Sequence, residues 1–326
     1  MNAYYFNFRR LFVVLACLCM HTMNAQAPDT VSIYQSRQKI LTFGFSTSYL
    51  AGSYLLYEAW YKDYPRSSFH FFDDSGEWRG MDKAGHVFSS YVQTDLLYST
   101  FLWAGNEPSD ALLKASLMSL AYQSTIEIMD GFSRDWGFSW TDQAANILGN
   151  SMYLIQEKLW SEQRIQLKFW TTPMSYSTEQ IISNNWISST SFHERTQDLY
   201  GSGWPVSFLK DYNAQSFWIS SNPGVWKTDS AWPAFLNLAI GFGAGNLFGG
   251  FENAWEDNGA NYEVSKLHYP RYNRFIIALD YDLRAIQTDK PWLRSLLKFL
   301  NYIKWPAPAL ELNTRGEFTF HILFLN

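Results

Sequence analysis

Four long apolar segments in the first half of the chain carry polar residues near their centres, and this combination restricts the possible folds most strongly. Each segment has about 20 residues, which is enough to cross a bilayer as a helix. Asp95, Lys114, Gln123 and Glu127 would be costly if they faced lipid, so we expect the helices to bury these side chains against one another. The segments cover 39–61, 82–103, 109–130 and 139–160.

These segments predict a four-helix bundle within a helical domain over 36–165. Two interpretations place it at a membrane, either embedded with a polar centre or docked at the membrane surface. A fully soluble bundle is the alternative. Aromatic residues make up 18% of the chain, and aromatic rings are enriched where apolar and wet surroundings meet.

The second half, over 171–326, has the short alternating pattern of β-strands. In the last segment Phe318, Phe320, Ile322 and Phe324 fall on one face at a period of two residues. An amphipathic helix is predicted over 291–305, packed on the core or lying on a membrane. The fold class is therefore α+β, with helices followed by an antiparallel β-rich half. The predicted strands are 216–222, 235–246, 272–286 and 317–326.

The N-terminus has the pattern of a secretory signal peptide over 1–25. Arg9 and Arg10 precede a short apolar run, and small residues follow it. An alternative is a lipidation site in "VLAC", with Cys17 as the acylated residue. Both cysteines, Cys17 and Cys19, lie in this segment. A disulfide-free exported chain suits a bacterial envelope, so we expect the protein at the outer membrane or its periplasmic face.

Composition and motifs exclude several functions. The net charge is −5 and the chain has no basic run, so nucleic-acid binding is not expected. The glycine-rich stretch 241–250 is followed by no apolar helical face, which excludes a nucleotide-binding turn. Motifs of serine hydrolases and zinc peptidases are absent from the sequence. The expected partners are membrane lipids or envelope proteins.

Polar residues recur at helical spacing on three of the predicted helices. The pair Asp82 and His86 opens the second helix, and residues four apart share a face. In an antiparallel bundle the start of the second helix, the end of the third and the start of the fourth lie at the same end. We therefore expect the polar stripes to converge there. On the third and fourth helices they comprise Gln123, Glu127, Asp130, Asp142, Asn146 and Asn150.

Converging carboxylates and one imidazole are suited to two kinds of chemistry. One is binding of a divalent metal, with manganese, magnesium or iron preferred over zinc; the candidate ligands are His86, Glu127, Asp130 and Asp142. The other is general acid–base catalysis, for which the candidates are His86, Asp82, Glu127 and Asp142. Each residue also has a structural interpretation, for example Asp82 as a helix cap or Ser139 and Asp142 as a capping box.

Three stretches carry a resemblance to a known family: "DKAGH", "IEIMDGFSRDWGFSWTDQAANILG" and "DYNAQSFWIS". They resemble the YfiM-like predicted periplasmic lipoproteins, or domain of unknown function 2279, in the long form found in Bacteroidetes. More remotely, the order of polar residues is similar to that of VanZ-like membrane proteins, which are linked with glycopeptide resistance and the cell envelope. The positions that carry the second resemblance are Asp82, Lys83, His86, Glu127, Ser139, Asp142, Asn146 and Gly149.

Two functions remain as expectations from the sequence. The first is a cell-envelope protein in which the polar site at one end of the bundle has a structural or binding role. The alternative is a metal-dependent hydrolase or transferase that acts on a lipid or cell-wall precursor. A divalent metal is the candidate cofactor in the second case.

Overall fold

A computed structural model describes residues 30–57, 65–201, 203, 206–227 and 229–325. The predicted signal peptide, 1–25, lies outside these residues. The α+β class is confirmed, because helices dominate the N-terminal half and an antiparallel sheet lies in the C-terminal half.

Four helices form the first half: α1 (Thr30–Leu56), α2 (Met81–Trp103), α3 (Pro108–Asp130) and α4 (Trp140–Trp160). Proline at the first position of α3 and the Ser139 hydroxyl, which accepts from the Asp142 backbone amide, fix two of the starts. The bounds of α2, α3 and α4 agree with the predicted segments to within one residue. By contrast, α1 begins nine residues earlier than its predicted segment.

Helices α2, α3 and α4 pack on one another through polar as well as apolar side chains. The Asn150 amide donates to the Thr94 hydroxyl at 2.9 Å and accepts from Ser116 at 2.5 Å. Such buried groups need partners, and here the facing helices supply them. No helix in the described part of the chain is long and apolar enough to cross a membrane. Neither the predicted four-helix bundle nor membrane embedding is confirmed.

The main sheet has six antiparallel strands in the order β1-β4-β5-β8-β9-β10. Two small hairpins, β2-β3 and β6-β7, lie beside it. The bounds are β1 Ile165–Thr171, β2 Gln180–Ile182, β3 Ser189–Ser191, β4 Gln215–Ser221, β5 Leu236–Gly245, β6 Ala254–Asp257, β7 Ala260–Glu263, β8 Tyr272–Tyr281, β9 Ala309–Asn313 and β10 Phe318–His321. Three shorter helices complete the half: α5 Phe192–Tyr200, α6 Val206–Lys210 and α7 Pro291–Leu300.

The predicted shared face of the last strand is only partly correct. Phe318 and Phe320 point to one exposed face, but β10 ends at His321. Beyond that point Phe324 leaves the alternation and is buried against Trp218, with ring centroids 5.2 Å apart. The chain turns back there, since the Phe324 amide donates to the Ala307 carbonyl.

The two halves meet along α2. The Phe88 ring packs against Phe169 of β1 and Phe217 of β4. Farther along the helix, buried Asp95 accepts from the Tyr302 hydroxyl at 2.6 Å and pairs with Lys298 of α7 at 2.5 Å. This ion pair explains how a carboxylate is accommodated at the centre of an apolar helix.

Candidate functional site

The backbone brings three helix ends and one loop together. Residues 65–74 run beside 131–138, and main-chain hydrogen bonds such as His70 N to Gly131 O (2.9 Å) and Phe72 N to Phe138 O (3.1 Å) join them. This pairing places Asp74 beside the first turn of α4. Gly80, at φ 83°, turns the chain directly into α2 in a conformation that favours glycine.

The Lys83 ammonium lies at the centre of the site. Its Nζ is 2.6 Å from Asp142 Oδ1, 2.7 Å from Asp74 Oδ2 and 3.0 Å from Asp82 Oδ2. Tyr212, from the second half of the chain, donates its hydroxyl to Asp82 Oδ1 at 2.9 Å. One cation is therefore shared by three carboxylates.

The carboxylates around Lys83 differ in their protonation. Burial raises the pKa of Asp74, but hydrogen bonds from Asp142, Lys83, Ser139 and Thr141 outweigh it and hold the pKa well below its ordinary value. Burial and the charge of Asp82 raise the pKa of Asp142. The hydrogen bond between the two groups is thus best described as Asp142, protonated, donating to Asp74.

His86 stands between the carboxylates of α2, α3 and α4. Its Nδ1 donates to Asn146 Oδ1 at 3.1 Å, because an amide oxygen only accepts. In the neutral imidazole this leaves the lone pair on Nε2. That nitrogen lies 3.7 Å from an oxygen of Asp82 and 3.7 Å from an oxygen of Asp142. A lone pair facing the oxygens of two carboxyl groups is a suitable arrangement for a metal ligand once Asp142 has lost its proton.

Glu127 is the most deeply buried acid of the site, with 1% of its surface exposed. Its Oε1 lies 3.6 Å from His86 Nδ1 and has no hydrogen-bond partner within the described residues. Burial, with the charges of Asp130, Asp82 and Asp74, raises its pKa to about 8. The side chain is therefore largely protonated at neutral pH, and it can gain or lose a proton there.

This pKa predicts a pH-dependent stability. Between the ordinary value of 4.5 and about 8, the native state keeps a proton that the unfolded state releases. Raising the pH through this window therefore lowers the free energy of unfolding. We expect Glu127→Gln to lose less stability than the wild type across it, as measured by urea denaturation at a series of pH values. The exposed-site control Glu179→Gln should follow the wild type, whereas equal slopes for all three proteins would refute the assignment.

The structure brings most of the predicted site residues together. Ligand atoms of Asp82, His86 and Asp142 all lie within 4.8 Å of one another, and Glu127 stands next to His86. Asp130 is not one of these three residues, and it acts on the site through its charge on Glu127. The sequence assigned no central role to Lys83 and none at all to Asp74 or Tyr212. Two features of the sequence pointed to the missed residues. Lys83 directly follows Asp82, and Tyr212 is the tyrosine of "DYNAQSFW", one of the stretches that carry the family resemblance.

Aromatic rings lie beside the site. Phe71 stacks on Trp140 with ring centroids 5.8 Å apart, and Phe69 contacts Phe132 at 5.3 Å. All four side chains are exposed. Phe69 and Phe71 lie on the stretch that leads to Asp74, Phe132 lies on the stretch paired with it, and Trp140 begins α4 directly after Ser139, so apolar rings border the polar cluster.

The fold and the site define a helical domain with a polar, partly exposed acid–histidine–lysine cluster at one end, attached to an antiparallel sheet. Residues 70–158 match the model of the family described as Predicted periplasmic lipoprotein (DUF2279). The matched segment contains every residue of the cluster except Tyr212. The description agrees with the expected location in the cell envelope. The likeness to VanZ-like proteins remains a prediction. Comparisons with curated proteins and with solved structures gave no match.

Proposed function

We propose that the protein is a binding component of the bacterial cell envelope and that its site takes a divalent cation. The single observation that carries this proposal is the convergence of Asp82, His86 and Asp142, whose ligand atoms lie within 4.8 Å of one another. Glu127, whose buried Oε1 is unpartnered within the described residues, lies on the Nδ1 side of the same imidazole and adds negative charge beside the site when it is ionised. One imidazole nitrogen with several carboxylate oxygens fits manganese or iron best.

The cation would exchange with the Lys83 ammonium. That group lies 2.6–3.0 Å from oxygens of Asp74, Asp82 and Asp142 and so occupies the space that a cation bound by these side chains would need. Lysine has a long flexible stem, and its side chain here is 17% exposed, which gives it a route out. Binding requires release of the proton from Asp142, whose pKa burial and the charge of Asp82 raise, and should therefore strengthen as the pH rises.

Calorimetric titration with Mn²⁺ tests the proposal. We expect His86→Ala and Asp142→Asn each to weaken binding at least about tenfold, as loss of a ligand does. Lys83→Met should strengthen it, because the competing ammonium is gone. His193→Ala is the matched control, since His193 is exposed and its ring hydrogen-bonds Gln197 rather than a cluster residue. Failure of the wild type to bind Mn²⁺, or loss of binding in Lys83→Met, would leave the cluster a structural ion-pair network.

A second candidate is the metal-dependent hydrolase or transferase acting on a lipid or cell-wall precursor. The observation that favours it is Glu127, whose pKa of about 8 beside His86 suits proton transfer at neutral pH. The apolar rim of Phe71 and Trp140 would suit a lipid substrate. Phosphate release from an isoprenyl pyrophosphate, lost in Glu127→Gln while Mn²⁺ binding persists, would establish this function.

We also propose that α1 completes a four-helix bundle with α2, α3 and α4. Two kinds of contact support it. The Arg37 guanidinium donates to the Trp103 carbonyl at 2.9 Å, and the hydroxyls of Tyr49 and Thr125 lie 2.7 Å apart. The Phe45 ring packs against Phe101 at 5.4 Å.

A further inference from the structure

The outward face of the main sheet is apolar across five strands. Its central row runs through directly paired residues, Ile219, Ile240, Ile277, Leu310 and Phe320, on β4, β5, β8, β9 and β10 in turn. These five side chains are 45–62% exposed. We call this row and its outward neighbours the outer sheet face.

A second row on the same face is also apolar and again paired strand to strand: Phe217, Phe242, Phe275, Leu312 and Phe318. Phe275, Leu312 and Phe318 are 50–66% exposed, whereas Phe217 and Phe242 are half-buried where α2 packs on the sheet. Thus neither row carries a charged or polar side chain. A contiguous exposed patch of this kind is rare on soluble monomers and marks an interaction surface.

The opposite face of the same sheet carries the charges. Arg274 and Glu311 form a bidentate pair at 2.8 Å there, and Asp280 pairs with Lys168 at 2.7 Å. An antiparallel sheet in water normally turns its apolar face to the core and its polar face outward. This sheet buries ion pairs together with Trp218 and Ile276 on one face and exposes an apolar row on the other, which indicates that an apolar medium covers its outer face.

The extent of exposed apolar surface favours lipid over a protein partner. Leu113 and Leu117 of α3 and Leu148 and Leu159 of α4 are also more than half exposed. These side chains lie on helices outside the sheet, so the exposed apolar surface extends beyond the outer sheet face. An ordinary partner covers only about 800 Å² per side, whereas lipid covers apolar surface of any extent.

The residues that border the outer sheet face fit a lipid–water boundary. At one end of β4 and β5, the Trp226 indole donates to Ser221 and the Trp232 indole to the Leu236 carbonyl. At the other end, the Arg315 guanidinium lies 4.1 Å from the Tyr272 ring centroid. Aromatic side chains with a polar handle, together with cations, are typical of the headgroup level on either side of hydrocarbon.

We propose that the outer sheet face lies against the lipid acyl chains of a bacterial membrane. This contact is independent of cation binding, because it uses the opposite half of the chain and none of the cluster residues. It gives the expected lipid partner a defined surface on the protein.

Lipid-borne quenchers test this contact directly. The full chain, with Cys17→Ser and Cys19→Ser, would carry an environment-sensitive fluorophore at Ile277→Cys or, separately, at Leu310→Cys. The matched control is Leu267→Cys, because Leu267 is 85% exposed but lies in a loop outside the sheet. Each protein would be mixed with vesicles of phosphatidylethanolamine and phosphatidylglycerol containing doxyl-labelled acyl chains. Circular dichroism would verify that each variant is folded.

We expect the labels at 277 and 310 to lose most of their fluorescence, and the label at 267 to keep its own. Equal quenching at all three positions, or none, would overturn the proposal. A label at 277 that is already shielded without lipid and does not respond to doxyl chains would assign the face to a second copy or another protein instead.

Discussion

Replacing Asp280 with alanine is expected to lower the free energy of unfolding by about 3–5 kcal/mol, the usual result of breaking a fully buried ion pair. Asp280 and Lys168 are both 0% exposed, with Oδ2 2.7 Å from Nζ. Lys304, at 3.8 Å from Oδ1, is also buried. Removing the carboxylate leaves two cations in the interior without a counter-ion. Chemical denaturation of the wild type and the variant measures the difference.

Two further variants make the result specific. Glu252→Ala removes a carboxylate of an exposed ion pair, 3.4 Å from Lys266, and should change stability little. The double variant Asp280→Ala with Lys168→Met should recover part of the loss, because one of the stranded charges is removed as well. A single variant no less stable than Glu252→Ala would show that the buried pair contributes nothing.

Gly149→Ala is expected to separate α2 from α4. A Cβ atom at this position would lie 2.1 Å from the Val87 carbonyl oxygen and 2.9 Å from its carbon, both of them backbone atoms. Backbone cannot give way as a flexible side chain does. The free energy of unfolding should therefore fall by at least the upper end of the range for overpacking, which is about 1–3 kcal/mol. Chemical denaturation of the variant and the wild type measures the difference.

The same substitution should weaken Mn²⁺ binding, because α2 carries Asp82 and His86 while α4 carries Asp142. Gly44→Ala in α1 is the matched control. No atom lies within 4 Å of the Cβ it would add, and alanine in a helix is favoured over glycine by up to about 1 kcal/mol. If both variants were equally stable, the close approach of α2 and α4 would not be required for the fold.

Local patterns were sufficient to predict three of the four long helices of the first half. Apolar periodicity, Pro108 and the cap at Ser139 gave the bounds of α2, α3 and α4, since these signals act within a few residues of the helix ends. The spacing of four also placed Asp82 and His86 on one face. Convergence with Glu127 and Asp142 followed from the antiparallel order of the helices.

The remaining parts of the site depend on contacts between distant parts of the chain. Asp74 reaches the cluster because residues 65–74 pair through their main chain with 131–138, and no local pattern announces such pairing. Tyr212 arrives from the β-rich half, 130 residues beyond Asp82. Lys83 lies at the centre of the site because the carboxyl groups of three aspartates surround it. A single sequence does not show which acidic side chains will surround a given lysine.

The sheet illustrates a different limit. Alternation in β8 divides its residues into an apolar set with Phe275 and Ile277 and a set that includes Arg274 and Asp280. A period of two separates the faces but does not say which one is buried. The usual assumption would place Ile277 in the core, whereas the structure exposes it and buries Asp280.

The most direct test of the cation site is a crystal of the full chain soaked in Mn²⁺ and measured by anomalous diffraction. We expect one strong anomalous peak within ligand distance of Asp82, His86 and Asp142, with the Lys83 ammonium turned away from Asp142. A map without a peak among these residues, in which Lys83 Nζ still lies between Asp74, Asp82 and Asp142, would contradict the proposed function.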